Sequence, residues 1–179
     1  SSTHWHGRKV RAALESARKK IAELLRCTPG EIIFTSGGTE ADNTILVSAL
    51  HTYGIQHVIS SRLEHHAVLH TLTNLAKQGT IALSMVDTDE KGHINYQHLE
   101  SILKENKNSL VSLMHANNEI GNLLDIERVG ELCDFYKSYF HSDTVQTVGH
   151  YAHDLAKIKV HGITAAAHKF HGPKGVGFM

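Results

Sequence analysis

With 179 residues, 41% of them hydrophobic and 20% charged, the chain has enough apolar material for a buried core. Eighteen Lys and Arg balance eighteen Asp and Glu, so no net field draws it to a nucleic acid or an anionic membrane, and no apolar run approaches the roughly 20 residues of a membrane span. SSTHWHGRK is not a signal peptide, and Cys27 and Cys133 lie far apart with no zinc-like spacing, which fits a reducing compartment. Sixteen histidines are unusual, but they are scattered along the chain rather than grouped in one tract.

From His6 to Arg26, Val10, Leu14, Ala17, Ile21, Leu24 and Leu25 recur at spacings of three and four, which predicts a helix with one apolar stripe, stopped by CTPG. EIIFTSGG reads as a strand ending in glycines, and TEADNTILVSALHTYG as a helix closed by Gly54. HVISS is a strand, HAVLHTLTNLAKQG a helix with Gly79 as its stop, and IALSMVD another strand. NYQHLESILKEN is helical, SLVSLMHA a buried strand, DIERVGELCDFYKSY helical, and YFHSD and GITAA short strands. Strands alternating with helices need crossover connections, so the expected fold is an α/β layer structure with a mainly parallel sheet. No internal repeat or linker divides it, and ligands are expected where loops leave the carboxyl ends of strands.

Several of those loops can do chemistry. In TSGGTEADN a strand turns through Ser36, Gly37 and Gly38 into a helix opening near Thr39, a seat for phosphate or a plain glycine turn with a Thr cap. In SRLEHHAVLH, His66 and His70 would share a helical face, but no acidic or sulfur ligand joins them and HExxH is absent, so metal binding is not expected. The alternatives there are a polar helix entrance or a histidine ring lying on a flat ligand. Asn117 and Asn118 in HANNEIGN suit a ligand's oxygen, or only a turn; a strand ends on Asp143, with Gln146 three residues later, and an acid there is often a helix cap. Lys169, in ITAAAHKFHGPKGVGF, becomes a carbonyl-capturing nucleophile if it is desolvated or lies near a cationic ring, with Lys174 its competitor. GPKGVG does not satisfy the GxxxxGK[ST] order of a nucleotide loop. Together the loops offer phosphate donors, a ring partner, an anion and an aldehyde-capturing amine, and pyridoxal phosphate is the cofactor with those needs.

TSGGTEADN, EHHAV, HANNEIG, HSDTVQTVG and AAHKFHGPKGVG resemble, in order and spacing, the motifs of cysteine desulfurases of the NifS/IscS type, within the class V aminotransferases of PLP-dependent fold type I. The resemblance covers nearly the whole chain. It implies a three-layer large domain that binds the cofactor over residues 1–179. The start at Ser1 and the stop in GVGFM read as cut short, without the smaller carboxyl-terminal domain and its substrate-binding arginine.

Residue by residue, the resemblance implies that Lys169 holds the cofactor as an imine and moves protons, that Asp143 pairs with the pyridine nitrogen, and that His65 stacks on the ring as an acid–base group. Gln146 would bond the phenolic oxygen, Asn118 face cofactor and substrate, and Gly38, Thr39 and His168 contact the phosphate. Where the family pattern has Ser-Gly before His-Lys, this chain has Ala166 and Ala167, which implies one missing hydroxyl contact and looser cofactor binding. The implied reaction removes sulfur from L-cysteine to give alanine and an enzyme persulfide, passed to a sulfur-acceptor protein for iron–sulfur clusters or thio-cofactors. A homodimer in the cytoplasm is the implied setting. Neither cysteine matches the family's nucleophile, which lies on a later loop, so this chain alone is expected to be a poor desulfurase. The competing readings are a selenocysteine lyase, another class V aminotransferase, or a scaffold that holds no cofactor.

Overall fold

The computed structural model describes residues 4–179. One seven-stranded sheet runs through it in the order β1-β7-β6-β5-β4-β2-β3. The strands are β1 (Phe34–Thr35), β2 (His57–Ser60), β3 (Ala82–Met85), β4 (Leu110–Ser112), β5 (Tyr139–Asp143), β6 (Gly162–Ala166) and β7 (Gly177–Phe178). From β3 to β6 every pairing is parallel, while β7 runs antiparallel to both β6 and β1. The helices are α1 (Trp5–Leu25), α2 (Gly38–Tyr53), α3 (His66–Lys77), α4 (Tyr96–Glu105) and α5 (Ile126–Phe135).

Strand periodicity separates two cores. Val58 and Leu110 face one side of the sheet, where they meet Leu46 and Leu50 of α2 and Val68 and Leu72 of α3. Their neighbours Ile59 and Val111 face the other side with Phe140, against Leu99 and Leu103 of α4 and Val129 and Cys133 of α5. Helices therefore cover both faces, giving the three-layer α/β architecture expected of strands joined by helical crossovers. Capping sets the helix starts: the Asn95 side chain accepts the His98 amide before α4, and that of Asp125 accepts the Arg128 amide before α5.

Three elements depart from the sequence reading. EIIFTSGG yields only the two-residue β1, because Pro29–Glu31 form a 3₁₀ turn in which the Glu31 carboxylate accepts the Thr28 amide and hydroxyl. β7 comes from the apolar end of the chain, where glycines on either side of Val176 hide a strand only two residues long. Helix α1 has its predicted bounds within a residue, but only Ala22 and Leu25 are buried; Val10 and Leu14 of the stripe are 61% and 49% exposed. The amino-terminal part of that stripe meets no core among the described residues.

Candidate active site

The carboxyl ends of the parallel strands open onto a cleft of about 200 Å³ lined by Gly38, Thr39, Asp42, His65, Met114, Asn118, Asp143, Val145, Gln146, Ala166, His168 and Lys169. All eight residues singled out from the sequence stand in it, brought together from five separate connections. Lys174 does not line it, which separates the two candidate lysines.

Gly37 caps α2, so the amides of the first turn face the cleft at Gly38 and Thr39. The turn is fixed from behind by Glu40, whose carboxylate accepts the Ser36 amide at 2.7 Å. Gly38 has a packing reason to be glycine: a Cβ there would lie 2.7 Å from Val145 Cγ2. A phosphate group suits this cradle of free amides at the positive end of a helix.

His65 is the cap of α3 and also a wall of the cleft. Its Nδ1 accepts the Ala67 amide at 3.2 Å, which keeps Nδ1 free of a proton and leaves Nε2 as the proton-bearing atom of the neutral ring. The two readings of this histidine, helix entrance and flat ligand partner, are therefore compatible. His66 and His70 stack on each other with ring centroids 4.7 Å apart, outside the cleft.

Asp143 ends β5 and is buried, with Oδ1 accepting the Val145 amide at 2.9 Å. It closes a turn rather than capping a helix. Burial, followed by the charge of Asp42, pushes its carboxyl up to about 6, against the lowering effects of the Val145 amide, His141 and His65. Of the asparagine pair, Asn117 is structural: Nδ2 donates to the Leu63 carbonyl at 2.8 Å and Oδ1 accepts the amides of Glu119 and Ile120. Asn118 bonds its neighbour Glu119 at 2.7 Å and reaches the cleft.

Lys169 ends a 3₁₀ turn, Ala167–Lys169, that follows β6 directly, and its carbonyl accepts from His150 Nε2 at 2.9 Å. The side chain is exposed, so within this chain the amine is not desolvated. Ala166 and Ala167 beside it are buried, and Ala166 lines the cleft.

Sequence reasoning missed Asp42, Glu64 and His141. Asp42 lies inside a helical run and Glu64 inside a histidine-rich loop, so nothing local marks either as buried. Glu64 Oε1 accepts from Ser61 Oγ at 2.9 Å and from the Met114 amide at 3.0 Å; Oε2 is buried without a partner among the described residues, and burial pushes the carboxyl up to about 8. The two cysteines stand apart from the cleft, and neither is poised as a thiolate. Burial pushes Cys133 up to about 12, and burial with the Glu31 charge raises Cys27.

The aminotransferase class-V family model matches residues 1–179, the entire chain. The chain is a class V aminotransferase family member. It is similar to proteins named cysteine desulfurase IscS. That of Vibrio vulnificus is 44% identical over 181 residues, spanning all of this chain and 44% of its own length, and that of Dictyoglomus turgidum is 43% identical over 182 residues and 45% of its length. This class V chain thus spans less than half of the curated relatives it matches. Among solved structures, a NifS-like protein superposes with a TM-score of 0.92 at 37% identity, covering 98% of this chain and 48% of the other. A structure of SspA in complex with cysteine superposes at 0.89 and 29% identity, over 98% of this chain and 50% of its own.

Proposed function

We propose that this chain is the pyridoxal phosphate-binding core of a cysteine desulfurase, acting on L-cysteine to give alanine and a persulfide for transfer to a sulfur-acceptor protein. One observation carries the reading: an amine, a buried carboxylate and a glycine-started helix converge on a single cleft from different strand ends. The 44% identity to IscS proteins supports the choice of cysteine among class V substrates, as does the likeness to SspA, which was solved in complex with cysteine.

Pyridoxal phosphate fits the donor set. The amides at Gly38 and Thr39, with His168 beside them, would hold the phosphate, Lys169 Nζ would bind the aldehyde, and Gln146 would donate to the phenolic oxygen. Above about pH 6 Asp143 is a carboxylate and would accept a hydrogen bond from the protonated ring nitrogen. When bound, the cofactor supplies an electron sink for bond breaking at the substrate α-carbon. His65, on the wall of the cleft, would stack on the ring and exchange a proton at Nε2, because Nδ1 is committed to α3. Lys169 Nζ would move protons at the substrate, and Asn118 would orient it. With Cys133 buried and Cys27 remote, the sulfur-accepting thiol belongs to a part of the longer protein outside these residues. A homodimer is part of the same reading.

The test is chemical and does not need turnover. The chain is incubated with pyridoxal phosphate, reduced with borohydride and mapped by mass spectrometry. The adduct is expected on Lys169 and lost in Lys169→Ala while Lys174→Ala retains it; an adduct elsewhere, or no uptake, overturns the reading.

A further inference from the structure

The cleft holds a second carboxylate that the reaction above does not use. Asp42 comes down from α2, is buried, and lines the same cavity as Asp143. Sheet register explains what surrounds it. Ser112 is paired with His141 and Asp143 with Thr164, and His141 and Asp143 are two residues apart on β5. All four side chains therefore project to one face, the face covered by α2.

The contacts form a chain. The Thr164 hydroxyl donates to Asp42 Oδ1 at 2.8 Å, and Ser112 Oγ lies 2.9 Å from His141 Nδ1. His141 Nε2 stands 3.4 Å from Asp42 Oδ1, an ion-pair distance that lacks hydrogen-bond geometry and leaves this nitrogen with no other partner among the described residues. A buried carboxylate facing a second one is costly unless a positive charge stands beside it. Among the described residues, His141 is the one basic side chain within ion-pair distance of Asp42.

We propose that Asp42 and His141 act as one buried pair, positioning residues that decide whether Asp143 presents a carboxylate or a neutral acid to the cleft. A proton on His141 Nε2 compensates Asp42, so that Asp143 meets a neighbour of no net charge. Without that proton Asp143 faces a bare negative charge, which raises the pH at which it takes up a proton. The other groups around Asp143 are His65 from the loop before α3, with Glu64 next to it, and Lys169 and His168 after β6. The functional consequence rests on the reading of Asp143 as the partner of the ring nitrogen, while the coupling itself is a property of the protein alone.

Cofactor-free protein labelled with ¹³C in its aspartate carboxyls separates the two. The Asp143 resonance is identified by its loss in Asp143→Asn and titrated. Asp42→Asn is expected to move its midpoint to lower pH and His141→Gln to higher pH, and the His141→Gln shift is expected to vanish when Asp42→Asn is present. Thr164→Val keeps every charged group and removes only the hydroxyl that stabilises ionised Asp42; it should shift the midpoint in the same direction as Asp42→Asn. A midpoint that neither Asp42→Asn nor Thr164→Val moves overturns the pair, as does a His141→Gln shift that persists undiminished without Asp42. Cofactor uptake is followed in parallel by absorbance. Wild-type protein that takes up none counts against the proposed function and leaves the titration to judge the pair by itself.

Discussion

Ala166 shows how a single methyl sets the strength of the proposed site. It ends β6, is buried, and its Cβ stands 3.8 Å from the position a Cβ at Gly38 would take, so it borders the first turn of α2. A hydroxyl placed there reaches the same space as the amides that open α2, the proposed phosphate seat. Ala166→Ser is expected to tighten pyridoxal phosphate binding by about tenfold, the effect of one hydrogen bond to a charged group. The dissociation constant read from cofactor absorbance checks this; unchanged or weaker affinity rejects a phosphate seat at this corner. Asp143 and Lys169 were legible at this scale because each follows a strand at a fixed place in a motif. Asp42, His141 and Glu64 were not, since their burial depends on strand register and on a helix arriving from elsewhere.

At the scale of elements, the start of α2 is bound to the turn after β5 by close packing. Gly38 admits no side chain because Val145 Cγ2 occupies the space, and Val145 is also the residue whose amide holds Asp143. Gly38→Ala should therefore destabilise the fold by about 1–3 kcal/mol, the usual cost of forcing a methyl into a packed site. Val145→Ala in the same chain should restore most of that loss. Thermal unfolding of the two single variants and the double variant measures the coupling, and additive effects would refute it. The alternation of strands and helices was readable from periodicity, because apolar spacing reports which face an element buries. β1 is shorter than the run read as a strand and β7 escaped altogether, being two residues each and fixed by pairing with each other at one edge of the sheet. The α1 stripe is predicted as one apolar face, yet its first half stays exposed, because periodicity reveals an apolar face and not what covers it.

For the whole molecule, buried titratable groups pull stability in opposite directions. Burial lowers His57, His115, His153 and His161, with His115 at about 4, so the folded chain binds fewer of these protons than the unfolded one below the ordinary histidine range. Their contribution is full above about 6.5 and is lost as pH falls toward 4. Glu64 is the reverse: its folded value near 8 lies above the unfolded value, so its contribution is present at low pH and lost as pH rises through 8. Glu64→Gln keeps an acceptor for Ser61 and Met114 without an ionisable proton. Its melting temperature should stay level between pH 6.5 and 8 where the wild type declines, and fall more steeply than the wild type below 6.5. Parallel Tm-against-pH curves for the two proteins would contradict a buried neutral acid at Glu64. The excess of histidines also finds a place here: His57 bridges Ser84 and Ser109, and His115 stands 3.1 Å from His153, so several serve as interior hydrogen-bonding groups.

The sequence by itself determined the α/β alternation, because local periodicity and turn chemistry are written in contiguous residues, and its ordered motifs carried the resemblance to the class V family that singled out the eight residues lining the cleft. Only the tertiary structure showed that Lys174 does not join Lys169 in lining the cleft, that His65 caps a helix while walling the site, and that Asp42 and His141 share a face of the sheet with Asp143. Those facts depend on the pairing of strands distant in sequence and on the helix packed over them, and neither leaves a local signature in the chain.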